Sequence, residues 1–150
     1  MSIAVKICGI TDEAAYDAAA EAGADYIGFV FFPPSPRAIG PQRAALLAAR
    51  HPSGPSRVGL FVDPMPHEIE IVLAALPLEA LQLYAEAEQV AALRARFGLP
   101  CWQALGVARA TDLPLSAVGV DRLVIEAKPP EGAGRPGGNA TPIDWRLTRR

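Results

Sequence analysis

The hydrophobic and polar positions of this 150-residue chain follow two alternating patterns that repeat along its length. Short runs of β-branched and apolar residues are typical of strands, and they are followed by stretches in which apolar residues recur every three to four positions, as in helices. Strands are predicted at residues 3–8, 25–32, 57–62, 79–83, 101–105 and 122–126. Helices are predicted between them at residues 12–22, 41–50, 64–76, 86–97 and, from a weaker pattern, 112–116.

Residues that commonly cap helices lie at the ends of the predicted helices. Thr11 or Asp12 is suited to the N-cap of the first helix, and Asp63 followed by proline predicts an N-cap for the third. Gly98 is expected to end the fourth helix. Asp144 is placed to cap a sixth helix, which barely starts before residue 150, and the pattern predicts one domain over residues 1–150.

Six strands that alternate with helical segments predict an α/β fold with a mainly parallel sheet. Two closures satisfy this pattern: an open, doubly wound sheet, or a (β/α)₈ barrel of the TIM type. An open sheet can stop at six strands, whereas a barrel that lacks strands keeps unpaired edges.

The amino-acid composition excludes several classes of protein. Hydrophobic residues make up 51% of the chain and charged residues 20%, with a net charge of −2, which argues against disorder and against a basic nucleic-acid groove. We find no apolar run of membrane-spanning length and no signal-peptide pattern. Two cysteines do not make a disulfide framework. These features predict a cytoplasmic protein without nucleic-acid or membrane partners.

The first candidate site lies at the end of the first strand. Period-two alternation places Lys6 and Cys8 on one face of that strand, with Cys8 at the carboxyl end, where α/β folds hold reactive groups. The ammonium of Lys6 would favour the Cys8 thiolate, which would make Cys8 a base or a nucleophile. The alternative is that Cys8 is a small buried hydrophobic residue.

The loop after the second strand is a second candidate. Three prolines between residues 33 and 36 stiffen this loop, and Arg37 follows them. A guanidinium in that position can clamp a carboxylate or a phosphate through two hydrogen bonds. The alternative is an arginine that only contacts solvent.

At these residues the sequence resembles a known family. The runs KICGIT (residues 6–11) and AAEAGADYIGFVFFPPSPRAI (residues 19–39) closely resemble the start of phosphoribosylanthranilate isomerases of tryptophan biosynthesis. Further similar blocks follow in order at residues 58–63, 81–84 and 126–145. The resemblance implies a (β/α)₈ barrel of the TIM type, here incomplete, with about six βα units and without strands seven and eight.

The resemblance implies an Amadori rearrangement of the phosphosugar N-(5-phosphoribosyl)anthranilate without a cofactor or a metal. Cys8 matches the general base of the family, and Glu126 stands where the family has an aspartate as general acid. Arg37, Gln82 and Lys6 are the expected substrate-binding residues. Partial burial beside Val124 and Ile125 would favour a protonated Glu126, whereas the alternative is a rim carboxylate that pairs with Arg122 or Lys128.

The sequence also departs from the family pattern. Besides Glu126, Tyr84 and Ala85 replace a His-Gly pair, and Gln103 stands where many members have lysine. The loops that usually bind phosphate in such barrels follow strands seven and eight, and nothing in residues 1–150 plainly replaces them. The glycine-rich segment 137–139 suggests an active-site loop more than a phosphate cradle.

Three functional readings therefore stay open at this point: an isomerase with a shortened chain, an inactive remnant or fragment that needs a partner segment, and another phosphosugar enzyme on the same fold. Exposed edges of strands one and six would favour self-association. Cys101, at the start of the fifth strand, is assigned to packing.

Overall fold

A computed structural model describes residues 3–116 and 119–148. Its six strands are β1 (Lys6–Cys8), β2 (Tyr26–Val30), β3 (Ser56–Val62), β4 (Ala80–Tyr84), β5 (Cys101–Val107) and β6 (Arg122–Ala127). Its four α-helices are α1 (Glu13–Glu21), α2 (Pro41–Ala48), α3 (Pro66–Ala75) and α4 (Ala87–Phe97). The six strands and the first four helices lie close to their predicted positions, with ends displaced by a few residues.

The strands form one parallel sheet in the order β1-β2-β3-β4-β5-β6. A doubly wound sheet reverses its strand order at a switch point, and this sheet does not. Arg122 on β6 also donates a hydrogen bond to the hydroxyl of Tyr26 on β2. In a flat sheet these strands would lie roughly 19 Å apart. The sheet is therefore curved into an incomplete barrel, and the open-sheet alternative is wrong.

Two apolar layers follow from the alternation along the strands. Outward residues such as Ile27, Phe29 and Leu81 pack beneath the helices in the main core. Inward residues form a smaller cluster around Val58 and Trp102 near the amino ends of the strands. Toward the carboxyl ends of the strands, the inward face carries Cys8, Gln82, Tyr84 and Glu126 among small and apolar residues.

Capping explains the helix starts. Asp12 is the N-cap of α1 and accepts a hydrogen bond from the amide of Ala15, which settles the choice between Thr11 and Asp12. The predicted cap at Asp63 is wrong, because α3 begins three residues later, after Met65. Asp63 takes a positive φ of 41°, and its amide donates to the carbonyl of Tyr84 in the turn after β3. Glu68 instead accepts the Met65 amide at 2.6 Å.

The last two predicted helical segments contain only 3₁₀ turns in the described residues. The predicted helix at residues 112–116 does not form, and a 3₁₀ turn at Ala110–Asp112 overlaps its first residue. Asp144 does precede a helical turn, the 3₁₀ segment Trp145–Thr148, and it accepts the amide of Arg146.

Within residues 3–116 and 119–148, no helix combines the length and apolarity needed to cross a bilayer.

Candidate active site

The predicted site residues converge at the carboxyl ends of the strands. One cavity of about 300 Å³ opens there on the inward face of the barrel. It brings together all five residues named from the sequence, and the two loops after β2 and β6 complete its wall. Its lining consists of Lys6, Cys8, Val30, Phe32, Ser35, Arg37, Leu60, Val62, Gln82, Tyr84, Val124, Glu126, Arg135, Pro136, Gly137 and Gly138.

Cys8 is half-buried and contributes to the cavity wall, so its interpretation as a fully buried hydrophobic residue is wrong. The chain turns sharply after it, because Gly9 has a φ of +83° and donates its amide to the carbonyl of Gly28 at 2.9 Å. Gly28 pairs with Cys8 in the sheet, and a Cβ there would lie 2.7 Å from Cys8 Sγ. The thiol therefore occupies space that only a glycine on β2 leaves free.

Arg37 reaches back from the loop after β2 to the end of β1. Its Nη1 donates to the carbonyl oxygen of Cys8 at 2.9 Å. The loop is held by Ser35, whose side chain accepts the Arg37 amide at 3.2 Å. Arg37 is exposed, but this hydrogen bond fixes its guanidinium at the end of β1, which differs from an arginine that only contacts solvent.

Lys6 and Gln82 form a pair across the inward face. The Lys6 ammonium donates to Gln82 Oε1 and lies 5.6 Å from the centre of the Trp102 ring. Gln82 is only 1% exposed. The ammonium of Lys6 is thus directed to Gln82 on β4, and the Lys6 side chain forms part of the cavity wall.

Glu126 is held by two donors from different elements. The hydroxyl of Tyr84 donates to Oε1, and the amide of Gly138 donates to Oε2 at 3.1 Å. Arg122, a partner of Glu126 in the alternative interpretation, instead donates to the hydroxyl of Tyr26 and lies over the face of the Trp102 ring. The carboxyl group is therefore part of the cavity wall.

Burial raises the pKa of the Tyr84 phenol, and the hydrogen bond to the Glu126 carboxylate and the charge of Cys8 raise it further. Tyr84 therefore stays a neutral donor at physiological pH. In the sequence, Tyr84 stands out only as a departure from the family pattern, and nothing there indicates its contact with Glu126. Alternation from Gln82 would have placed Tyr84 inward, but no pattern could have shown which side chain it meets.

The glycine-rich loop after β6 closes one side of the cavity. The Asn139 side-chain amide donates to the carbonyl of Arg135 at 3.2 Å, which bends the loop back on itself. Gly138 has a φ of +67°, and its amide is used by Glu126. The segment thus contributes to the wall of the active-site cavity, as expected for an active-site loop.

Two further residues from the sequence analysis lie outside this cavity. The buried Gln103 donates its side-chain amide to the carbonyl of Ala85 at 3.0 Å. Cys101 is fully buried, and this burial, together with the charge of Asp121, raises the pKa of its thiol to about 11. Cys101 thus has the packing role that was predicted.

Among the described residues, no group of three or more His, Cys, Asp or Glu side chains is arranged to hold a metal ion.

The amino-acid sequence of the chain is similar to those of known proteins. A family model described as N-(5'phosphoribosyl)anthranilate (PRA) isomerase matches residues 5–149. The N-(5'-phosphoribosyl)anthranilate isomerase of Acidiphilium cryptum (strain JF-5) is 54% identical over 142 residues, which are 95% of this chain and 68% of that protein. The protein of the same name from Paramagnetospirillum magneticum (strain AMB-1) is 50% identical, over 98% of this chain and 71% of its own length.

Solved structures agree with the fold. Phosphoribosyl anthranilate isomerase from Thermotoga maritima superposes with a TM-score of 0.77 at 31% identity, covering 97% of this chain and 70% of that one. A phosphoribosyl anthranilate isomerase in complex with reduced 1-(o-carboxyphenylamino)-1-deoxyribulose 5-phosphate gives a TM-score of 0.68 at 35% identity. That match covers 74% of this chain and 57% of the other.

Proposed function

Because the chain belongs to the N-(5'-phosphoribosyl)anthranilate isomerase family, we propose that it catalyses the Amadori rearrangement of N-(5-phosphoribosyl)anthranilate to 1-(2-carboxyphenylamino)-1-deoxyribulose 5-phosphate in tryptophan biosynthesis. The observation that carries the proposal is that Cys8 and Glu126, from strands β1 and β6, line one cavity of about 300 Å³ together with Arg37. A cavity of this size suits a small phosphosugar.

In this proposal Glu126 is the general acid. It protonates the ring oxygen of the sugar, and the bond between that oxygen and C1′ breaks while the nitrogen lone pair forms the Schiff base. Cys8 is the general base. Its thiolate removes the C2′ proton, the electron pair left on C2′ forms the enolamine, and tautomerisation of the enolamine gives the ketone. Acid and base must be in opposite protonation states at one pH.

The other cavity residues bind the substrate. Arg37, which is fixed to the carbonyl of Cys8, can hold the anthranilate carboxylate through two hydrogen bonds. Lys6 and Gln82 lie on strands that face each other across the barrel, and this polar pair can form hydrogen bonds with the hydroxyl groups of the sugar. The complex of a solved relative with a reduced product analogue supports a ligand of this class.

The test is the loss of phosphoribosylanthranilate fluorescence with the purified chain. We expect turnover that falls about 10²–10⁴-fold in Cys8→Ala, the range for loss of a general base. Cys101→Ala is the matched control, because its thiol is buried in the core and lies outside the cavity. The proposal fails if the wild-type chain shows no turnover, or if Cys8→Ala keeps the wild-type rate.

We also propose that residues 1–150 form one domain and that the protein acts in the cytoplasm. One continuous six-stranded sheet with a shared helix-covered core supports the single domain. Both cysteines are free, as is usual in reducing compartments. A protease-resistant core that spans most of the chain, and fractionation of the native protein with cytoplasmic markers, are the expected results.

We propose that the chain associates with itself through its terminal strands. β1 and β6 are the two ends of the described sheet, and the apolar residues Ile3, Val5 and Ile7 near or on β1 are 90%, 47% and 41% exposed. Unpaired edges beside apolar side chains favour pairing with another strand. Light scattering should show a mass that rises with protein concentration, and a constant monomeric mass would contradict this.

A further inference from the structure

We propose that Tyr84 is a positioning residue for Glu126: its hydroxyl holds one carboxylate oxygen while the Gly138 amide holds the other, so that the carboxyl group keeps one orientation in the cavity. This inference rests on the proposed function, in which Glu126 is the acid. It assigns a role to a residue that lines the cavity but takes no part in the proton transfers described above.

The need for such a residue follows from the side chain of glutamate. A glutamate has more rotatable bonds than an aspartate, and its terminal torsion is soft, so its carboxyl group samples more positions unless partners restrain it. Displacement of a reacting group by about 1 Å can cost about 10²-fold in rate. Two donors on separate elements, strand β4 and the loop after β6, restrain both oxygens of Glu126.

The sheet leaves room for this contact. Strand β5 lies between β4 and β6, and its inward residues at this level are Ala104 and Gly106, the latter paired with Glu126. Their small size lets the Tyr84 ring extend over β5 to the carboxyl group. From the other side, a Cβ at Gly137 would collide with both the Tyr84 hydroxyl and the Glu126 carboxylate. The pair is thus enclosed between β5 and the glycine-rich loop.

The electrostatics keep the phenol in its positioning role. Burial raises the pKa of Tyr84, and its hydrogen bond to Glu126 and the charge of Cys8 act in the same direction. A phenol that stays protonated cannot serve as a base, and it can remain hydrogen-bonded to the Glu126 carboxyl group whether or not that group carries a proton. Tyr84 therefore acts through Glu126.

Kinetics of Tyr84→Phe test the role, with Tyr26→Phe as the matched control. Tyr26 also loses a hydrogen bond when its hydroxyl is removed, but that bond joins Arg122 outside the cavity. We expect kcat of Tyr84→Phe to fall about 10- to 100-fold with KM within about two-fold of wild type, and the control to keep both constants. Unchanged kcat in Tyr84→Phe would overturn the proposal.

A second measurement does not depend on activity. The chain has three tyrosines, so ¹³C labelling at Cζ gives three signals that the Tyr→Phe variants assign. We expect the pKa of Tyr84 to fall in Glu126→Gln, because the charge that opposes ionisation of the phenol is gone, and to stay unchanged in Glu131→Gln, which alters an exposed residue of the same loop. An unchanged Tyr84 titration in Glu126→Gln would overturn the pairing.

The two measurements separate the possible failures. If the wild-type chain shows no turnover, the proposed function fails, and the tyrosine titration still decides whether Tyr84 holds Glu126. If the wild-type chain is active but either readout is unaffected by its variant, the positioning role fails while the proposed function stands.

Discussion

The guanidinium of Arg37 donates a hydrogen bond to the backbone carbonyl of Cys8 at 2.9 Å, which joins the proline-rich loop after β2 to the end of β1. The contact is close on several sides, because a Cβ at Gly9 would lie 2.7 Å from Arg37 Cδ and one at Gly138 would lie 3.0 Å from its Nη2. Arg37 is thus packed between the turn after β1 and the loop after β6. The backbone carbonyl of Cys8 therefore links Arg37, the proposed substrate-binding residue, to Cys8, the proposed base.

This relationship predicts a binding defect for Arg37→Ala. A hydrogen bond to a charged group contributes about 1.5–3 kcal/mol, so we expect KM to rise about 10- to 100-fold with a smaller change in kcat. Steady-state fluorescence assays measure both constants. Arg43→Ala is the matched control, because Arg43 pairs with Glu13 on the outer surface. A KM equal to that of wild type would exclude Arg37 from substrate binding.

Glu126→Gln tests the acid directly. The amide cannot supply a proton to the ring oxygen, and we expect kcat to fall about 10²–10⁴-fold. Glu131→Gln removes an exposed carboxylate from the same loop, and it should retain wild-type kinetics. Full activity in Glu126→Gln would remove this residue from the role of acid.

The two cysteines should differ in their reaction with iodoacetamide. Cys8 is half-buried in the cavity wall, whereas Cys101 is fully buried and burial raises the pKa of its thiol to about 11. Because the thiolate is the reactive form, native protein at pH 8 should be alkylated at Cys8 alone. Mass spectrometry should find modification at Cys101 only after unfolding in urea. Rapid modification of Cys101 in the native protein would contradict this.

Asp17 should contribute to stability in a pH-dependent way. Hydrogen bonds from Arg50 and then His51 lower the pKa of Asp17 from 3.8 to about 2. A carboxyl group with a lowered pKa stabilises the folded state above its unfolded pKa, and that contribution disappears as the pH falls from about 4 through 2. Urea unfolding should therefore show a stability difference between wild type and Asp17→Asn that is largest near neutral pH and shrinks over this interval.

Removal of the partner provides the control for Asp17. Arg50→Ala deletes the first of its hydrogen-bond donors, so it should also flatten the acid limb of the stability curve. A difference between wild type and Asp17→Asn that stays constant from pH 7 to pH 2 would show that the ion pair contributes nothing to stability.

The start of α3 shows where local sequence rules end. Asp63 followed by Pro64 is a strong capping pattern, yet Asp63 is held in a turn with positive φ by its amide contact with Tyr84, and the helix begins after Met65. A contact with a residue on another strand outweighed the local preference. By contrast, Asp12 behaves as its local sequence predicts, because its side chain accepts the amide of Ala15 in the first turn of α1.

Periodicity and residue identity were enough to predict the alternation of strands and helices, the shared face of Lys6 and Cys8, and the resemblance from which residues 8 and 126 are proposed as base and acid. These features depend on short-range periodicity and on residue identity. The hydrogen bond from Arg37 to the Cys8 carbonyl, and the contact of Tyr84 with Glu126 across β5, could be seen only in the folded chain. Such contacts join residues 29 and 42 positions apart in the chain, and the order of the strands in the sheet brings them together.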